Sequence, residues 1–120
     1  MNDISPKLQN QITQYQQLQQ QIQVLSSQRY QLEAQSREVA KAIEELNGLQ
    51  ADATIYKNVG SLMIKAKDRE SVLKDLNDQK ETLDIRVKSI EKQEKHLRDR
   101  YQSLQEELSK VLGPKKDEAA

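Results

Sequence analysis

The chain has 120 residues, 19 Lys plus Arg against 19 Asp plus Glu, 35% apolar residues and 3% aromatics. A globular domain of this size carries about 45–50% apolar residues, so a compact core buried by one chain is not expected. Zero cysteines exclude a disulfide scaffold and thiolate metal sites. No apolar run approaches the roughly 20 residues that span a bilayer, and no basic-then-apolar leader opens the chain, so a soluble cytoplasmic protein is expected.

The first predicted element is a helix over 5–47. Read as heptads from Leu8, the a positions are Leu8, Tyr15, Ile22, Arg29, Ser36 and Ile43, and the d positions are Gln11, Leu18, Leu25, Leu32, Val39 and Leu46. Nine of these twelve are apolar, which is the seam of a coiled coil. Ser5-Pro6 suits an N-cap followed by proline at the first helical position. Asn47-Gly48 suits a left-handed C-cap. Eleven glutamines occupy the 23 residues 9–31. Apart from Gln11 at a d position, they fill positions outside the seam, as a solvated helix face would.

The segment 54–67 changes character. It is rich in β-branched residues and holds Tyr56 and no proline. Asn58-Val59-Gly60 suits a three-residue turn with Gly60 at the positive-φ position. A hairpin of about six residues per strand is predicted, with Tyr56, Leu62 and Ile64 on one face and Lys57 and Lys65 outward. A lone hairpin is at best marginally stable and leaves two open edges. The expected solution is pairing of 54–67 with hairpins of other subunits, closing a barrel. The alternative is a hairpin folded down on its own helices.

The third element is a helix over 68–112, capped by Asp68 and followed by a polar tail, 113–120, that opens with Gly113-Pro114. Its a positions are Leu73, Lys80, Val87, Glu94, Tyr101 and Leu108, and its d positions are Leu76, Leu83, Ile90, Leu97, Leu104 and Val111; ten of twelve are apolar. Acid-before-base pairs i,i+4 are expected at Glu70/Lys74, Asp84/Lys88, Glu91/Lys95 and Glu94/Arg98. The seams 8–46 and 73–111 are both 39 residues long, or roughly 58 Å at 1.5 Å per residue. Equal lengths joined by a reversal predict an antiparallel pair, with both chain termini at one end. Polar a residues lower stability and penalise misalignment. In this register Arg29 and Glu94 lie within pairing reach. The fold class is therefore mostly α: a long antiparallel two-helix coiled coil with one β-hairpin, the hairpins assembling into an oligomeric barrel.

The order helix, hairpin, helix, together with the hairpin stretch 56–65 (YKNVGSLMIK) and the stretch 83–94 (LDIRVKSIEKQE), resembles the beta-type subunit of prefoldin; the Gln-rich first helix also fits. One hairpin rather than two points to the beta type over residues 4–112. The resemblance implies a hexamer of two alpha-type and four beta-type subunits. Its hairpins form a double β-barrel and its coiled coils hold unfolded protein at their distal ends. It also implies hand-over of that client to a group II chaperonin without ATP use by prefoldin itself. The oligomerisation residues are then Ile55, Tyr56, Val59, Gly60, Leu62, Met63 and Ile64.

Client contact is expected at the helix ends. Leu8 and Val111 close the seam there, Ile12 and Leu112 are apolar e positions, and Ile4 lies beside them. Ile12 and Leu112 could equally widen the seal between the helices. Val24, Tyr30 and Ile85 lie outside the seam and need no role as single exposed residues.

No catalytic, cofactor or metal site is expected. His96 is the only histidine, and ligands come in clusters. The three glycines are isolated, so no phosphate loop exists. Basic residues are interleaved with acids, so no stripe suits nucleic acid, and the narrow seam does not suit a membrane surface. The other functional class open to such a chain is a structural coiled-coil adaptor that binds one folded partner.

Overall fold

The computed structural model describes residues 5–112. The element order is α1 (Pro6–Asn47), β1 (Tyr56–Val59), β2 (Leu62–Lys65) and α2 (Arg69–Leu112). The helix starts are built by local side chains. Ser5 Oγ accepts the Leu8 N–H at 3.1 Å, and Pro6 follows at the position where a missing N–H costs nothing. Asp68 Oδ1 accepts the Ser71 N–H at 2.7 Å, and Ser71 Oγ donates back to the Asp68 carbonyl at 3.1 Å.

The end of α1 departs from the expected left-handed cap. Gly48 does not adopt a positive φ. Its N–H instead reaches the Glu44 and Glu45 carbonyls, both at 3.2 Å, and Leu49 N–H reaches Leu46 at 3.2 Å. Arg69, the first residue of α2, donates through Nη1 to the Leu46 and Leu49 carbonyls at 3.1 and 3.0 Å. The Leu46 carbonyl is among the last acceptors of the helix and that of Leu49 lies just beyond it, and a guanidinium satisfies both without a left-handed residue.

The chain forms two compact units. One joins α1 through Arg29 with α2 from Ser89; the other holds 30–88. The helices run antiparallel within each. In the first unit Gln11 Nε2 donates to Glu107 Oε1 at 3.0 Å, and Tyr15 stacks on Tyr101 with ring centroids 4.4 Å apart. In the second, Ser36 Oγ donates to Asp84 Oδ1 at 2.6 Å and Arg69 meets Leu46. Every a and d position of both helices is buried or half-buried except Val111. Leu18, Leu32 and Leu108 are the most buried apolar seam residues. The 3.5-residue pattern is thus the packed stripe.

The polar a residues are all partnered. Glu94, 1% exposed, accepts from Arg29 Nε, from Ser26 Oγ at 2.7 Å and from Arg98 Nη2 at 3.3 Å. Ser36 and Lys80 converge on Asp84, Lys80 Nζ at 2.7 Å. Of the expected acid-first pairs, Glu94/Arg98 forms. Lys74, Lys80 and Lys95 instead reach forward to Asp78, Asp84 and Asp99. Exposed pairs of this kind contribute at most a few tenths of a kcal/mol.

The hairpin is shorter and differently registered than expected. Each strand has four residues. The pairs are Tyr56 with Lys65, Lys57 with Ile64, Asn58 with Met63, and Val59 with Leu62. The loop is therefore the two residues Gly60-Ser61, and Gly60 holds φ 61°, as the first central residue of a primed hairpin turn does. Cross-strand partners share a face, so Tyr56 lies with Asn58, Met63 and Lys65. Lys57 lies with Val59, Leu62 and Ile64. The expected face joining Tyr56 to Leu62 and Ile64 does not form. A loop of Asn58-Val59-Gly60 would have created it by pairing Tyr56 with Leu62; the observed partner, Lys65, lies three residues on, and an odd change of register moves a strand's side chains to the other face.

Candidate functional site

Two surfaces carry the candidate residues. The first is the hairpin. Every residue of both strands is exposed, so the hairpin is not folded down onto its helices. Tyr56, Val59, Leu62, Met63 and Ile64 are 42–69% exposed. Burying a side chain of this size is worth about 1.5–3 kcal/mol. Ile55 is half-buried, and its carbonyl accepts the Ala66 N–H at 2.8 Å, which extends the pairing one step past the strands. The sheet has only two strands among the described residues, so each strand keeps one edge of unpaired backbone groups. Gly60 sets the turn; a Cβ there would meet nothing within 4 Å. Its requirement is conformational, since only glycine takes positive φ without cost.

The second surface is the free end of the first unit, where α1 begins and α2 finishes. Ser5, Lys7, Leu8, Gln11, Glu107, Lys110 and Val111 line one open groove of about 490 Å³. Leu8 and Val111 are thus brought together. Ile12 is half-buried and does not line this groove. Leu112 is 49% exposed and Val111 61% exposed. Val111 is a correction to the seam. It lines the open groove beside Lys7 and Leu8 of the first turn of α1 rather than packing into the seam. Ile4 and the tail from Gly113 lie outside the described residues.

Neither surface holds groups poised for chemistry. His96 is exposed. Among the described residues no cluster of three or more His, Cys, Asp or Glu could hold a metal ion, and no helix is long and apolar enough to cross a membrane. The Glu94 carboxyl does titrate abnormally. Burial pushes it up, but hydrogen bonds from Arg29 and Ser26 and the charges of Arg29 and Arg98 outweigh that and hold it below its ordinary value. Asp84 is also lowered, by the hydrogen bonds from Lys80 and Ser36. Both groups tie the helices together and stay ionised at neutral pH.

The family described as "Prefoldin subunit" matches residues 9–115. The chain belongs to the prefoldin beta-subunit family. Prefoldin subunit beta of Methanosarcina acetivorans is 48% identical over 114 residues, covering 95% of this chain and 97% of that one. Prefoldin subunit beta of Archaeoglobus fulgidus is 41% identical over the same coverage. The crystal structure of the prefoldin beta subunit from Thermococcus strain KS-1 superposes with a TM-score of 0.85 at 32% identity, covering 95% of this chain and 99% of that one. Prefoldin subunits are non-enzymatic chaperone components, and the chain has that role.

The sequence missed three features. The Tyr15–Tyr101 stack was legible only as two seam tyrosines. Arg69 gave no signal, because its acceptors lie 20 and 23 residues earlier. The two-residue turn could have been read from Gly60-Ser61, since glycine followed by serine between short β-rich runs is a hairpin signal.

Proposed function

We propose that this chain is a holdase subunit that assembles through its hairpin with alpha-type subunits and with copies of itself. It binds unfolded proteins at the free helix ends without nucleotide, in the cytoplasm, and passes them to a group II chaperonin. The stoichiometry is two alpha-type and four beta-type chains. The observation that carries the reading is the exposed two-stranded sheet. It leaves five large apolar side chains and two open edges in water, and strands from other subunits would cover both.

The free end supports the client-binding part. Leu8, Val111 and Leu112 place apolar surface beside a shallow groove, and Ile12 and Ile4 extend the same end in sequence. Weak contacts repeated over several subunits add avidity without a shaped pocket. A denatured test enzyme diluted into buffer lacking nucleotide tests this. The complex of this chain with its alpha-type partner suppresses the rise in light scattering. The paired variant Val111→Asp, Leu112→Asp keeps the native mass and loses most suppression. Unchanged scattering with the wild-type complex overturns the client-holding reading.

A further inference from the structure

Tyr15 and Tyr101 are, Met1 aside, the only residues of the first unit whose side chains give up an electron readily, since that unit has no Cys and no Trp. They meet across the seam at a positions. Their rings are stacked, with centroids 4.4 Å apart and planes 12° from parallel. Aromatic pairs ordinarily sit about 4.5–7 Å apart, so this contact is close and face to face. The Tyr15 hydroxyl also shares a hydrogen bond with that of Tyr101. Both oxygens therefore lie at the same edge of the stack, and the ring carbons ortho to them face the partner ring. Both residues are half-buried, and Tyr101 lines an open groove of about 420 Å³, so a small oxidant reaches the pair. The hydrogen bond, burial and the neighbouring phenol hold the Tyr15 hydroxyl above its ordinary value. It is protonated at neutral pH and loses its proton together with an electron.

We propose that this stack is an oxidative modification site, at which Tyr15 and Tyr101 join as dityrosine and staple α1 to α2. A diffusible one-electron oxidant of the radical class, such as the carbonate radical, takes one electron from each phenol, and each hydroxyl proton passes to water. The two phenoxyl radicals then form one carbon–carbon bond between ortho carbons. The hydrogens on those carbons move to the oxygens, which restores both hydroxyls and both aromatic rings. The sum is a loss of two electrons and two protons. Phenoxyl radicals couple with their ring faces together, and the stack supplies that approach before oxidation. Tyr30 and Tyr56 are more open to solvent, at 68% and 58% exposed, so exposure alone would favour them; geometry favours the seam pair. The staple closes the chain between 15 and 101 and removes freedom from the unfolded state, as a disulfide does. It lies one heptad in from Leu8 and holds together helix ends that otherwise fray.

The test exposes the assembled complex to a light-activated ruthenium complex with persulfate, a small one-electron oxidant, and then digests it. Mass spectrometry shows a peptide pair joined through Tyr15 and Tyr101, lighter by two hydrogens than the sum of its parts. The native mass is unchanged, and the oxidised chain unfolds at higher urea than the untreated one. Tyr15→Phe keeps the packing and abolishes the joined pair, whereas Tyr30→Phe leaves it in place. Oxidation that joins Tyr30 or Tyr56 in its stead, or that adds oxygen to the seam rings without joining them, overturns the site.

Discussion

Arg29 of α1 donates through Nε to a carboxylate oxygen of Glu94 on α2, at a seam position where apolar residues would ordinarily meet. The two partners are unequal. The Glu94 side chain is 2% exposed and that of Arg29 26%. The acid is sealed between the helices, and the base keeps one side in water. Ser26 and Arg98 complete the carboxylate's acceptor capacity.

That inequality sets the cost of breaking the pair. Arg29→Leu strands a buried carboxylate and costs about 3 kcal/mol. Glu94→Leu leaves an arginine that can turn to solvent and costs less. The double variant Arg29→Leu, Glu94→Leu recovers most of the loss, because an apolar pair of similar volume packs without desolvating charge. It also permits shifted helix alignments, since the polar layer no longer penalises them. Urea denaturation of the four proteins measures the cycle. Equal costs for the two single variants contradict the burial argument.

The same carboxyl predicts the direction of acid sensitivity. Glu94 is held below its ordinary value of 4.5 in the folded chain, so the unfolded chain binds its proton more readily. Its contribution is fully present above 4.5 and is lost as pH falls through the lowered folded value. Asp84 is lowered too and adds loss of the same sign. Melting temperatures of wild type and Glu94→Gln, taken from pH 7 downward, converge in acid and differ most at neutral pH. A gap that widens on acidification reverses the sign and refutes the assignment.

Gly60→Val tests the turn. The position holds φ 61° with open space around the missing Cβ, so the penalty is backbone conformation alone, about 1–2 kcal/mol for an L-residue and worse for a β-branched one. A four-residue-per-strand hairpin has little stability to lose. The variant retains its helical circular dichroism and loses native mass in sedimentation. Gly60→Asn is milder, because asparagine tolerates the left-handed region.

The helices were legible and the hairpin register was not, for one physical reason. Seam periodicity is repeated over twelve positions per helix, so a local exception such as Arg29 or Ser36 does not hide it. Strand register depends on one turn. Asn58-Val59-Gly60 and Gly60-Ser61 both place glycine at positive φ, but the first pairs Tyr56 with Leu62 and the second pairs it with Lys65, an odd shift of three residues that exchanges the faces. The capping of α1 was misread in a similar way. Asn47-Gly48 is a good local signal, but Arg69 supplied the acceptors' partner from outside the local sequence, and the left-handed turn was not required. At the free end the heptad continued formally to Val111, which lies beside Lys7 and Leu8 of the first turn of α1 yet stays 61% exposed.

The observed register divides the hairpin into unlike faces, and this decides which substitutions disturb assembly. Val59, Leu62 and Ile64 share a face with Lys57, whereas Tyr56 and Met63 share theirs with Asn58 and Lys65. The first face is richer in aliphatic surface and is the one that gains most from burial against other strands. Leu62→Asp places a charge there, in the pair nearest the turn. Burying it unpaired costs several kcal/mol, so the assembly dissociates in native mass measurements. Asn58→Asp adds the same charge to the other face, where a polar residue already stands, and the native mass is retained. If instead Asn58→Asp dissociates the complex and Leu62→Asp does not, the Tyr56 face is the one buried between subunits.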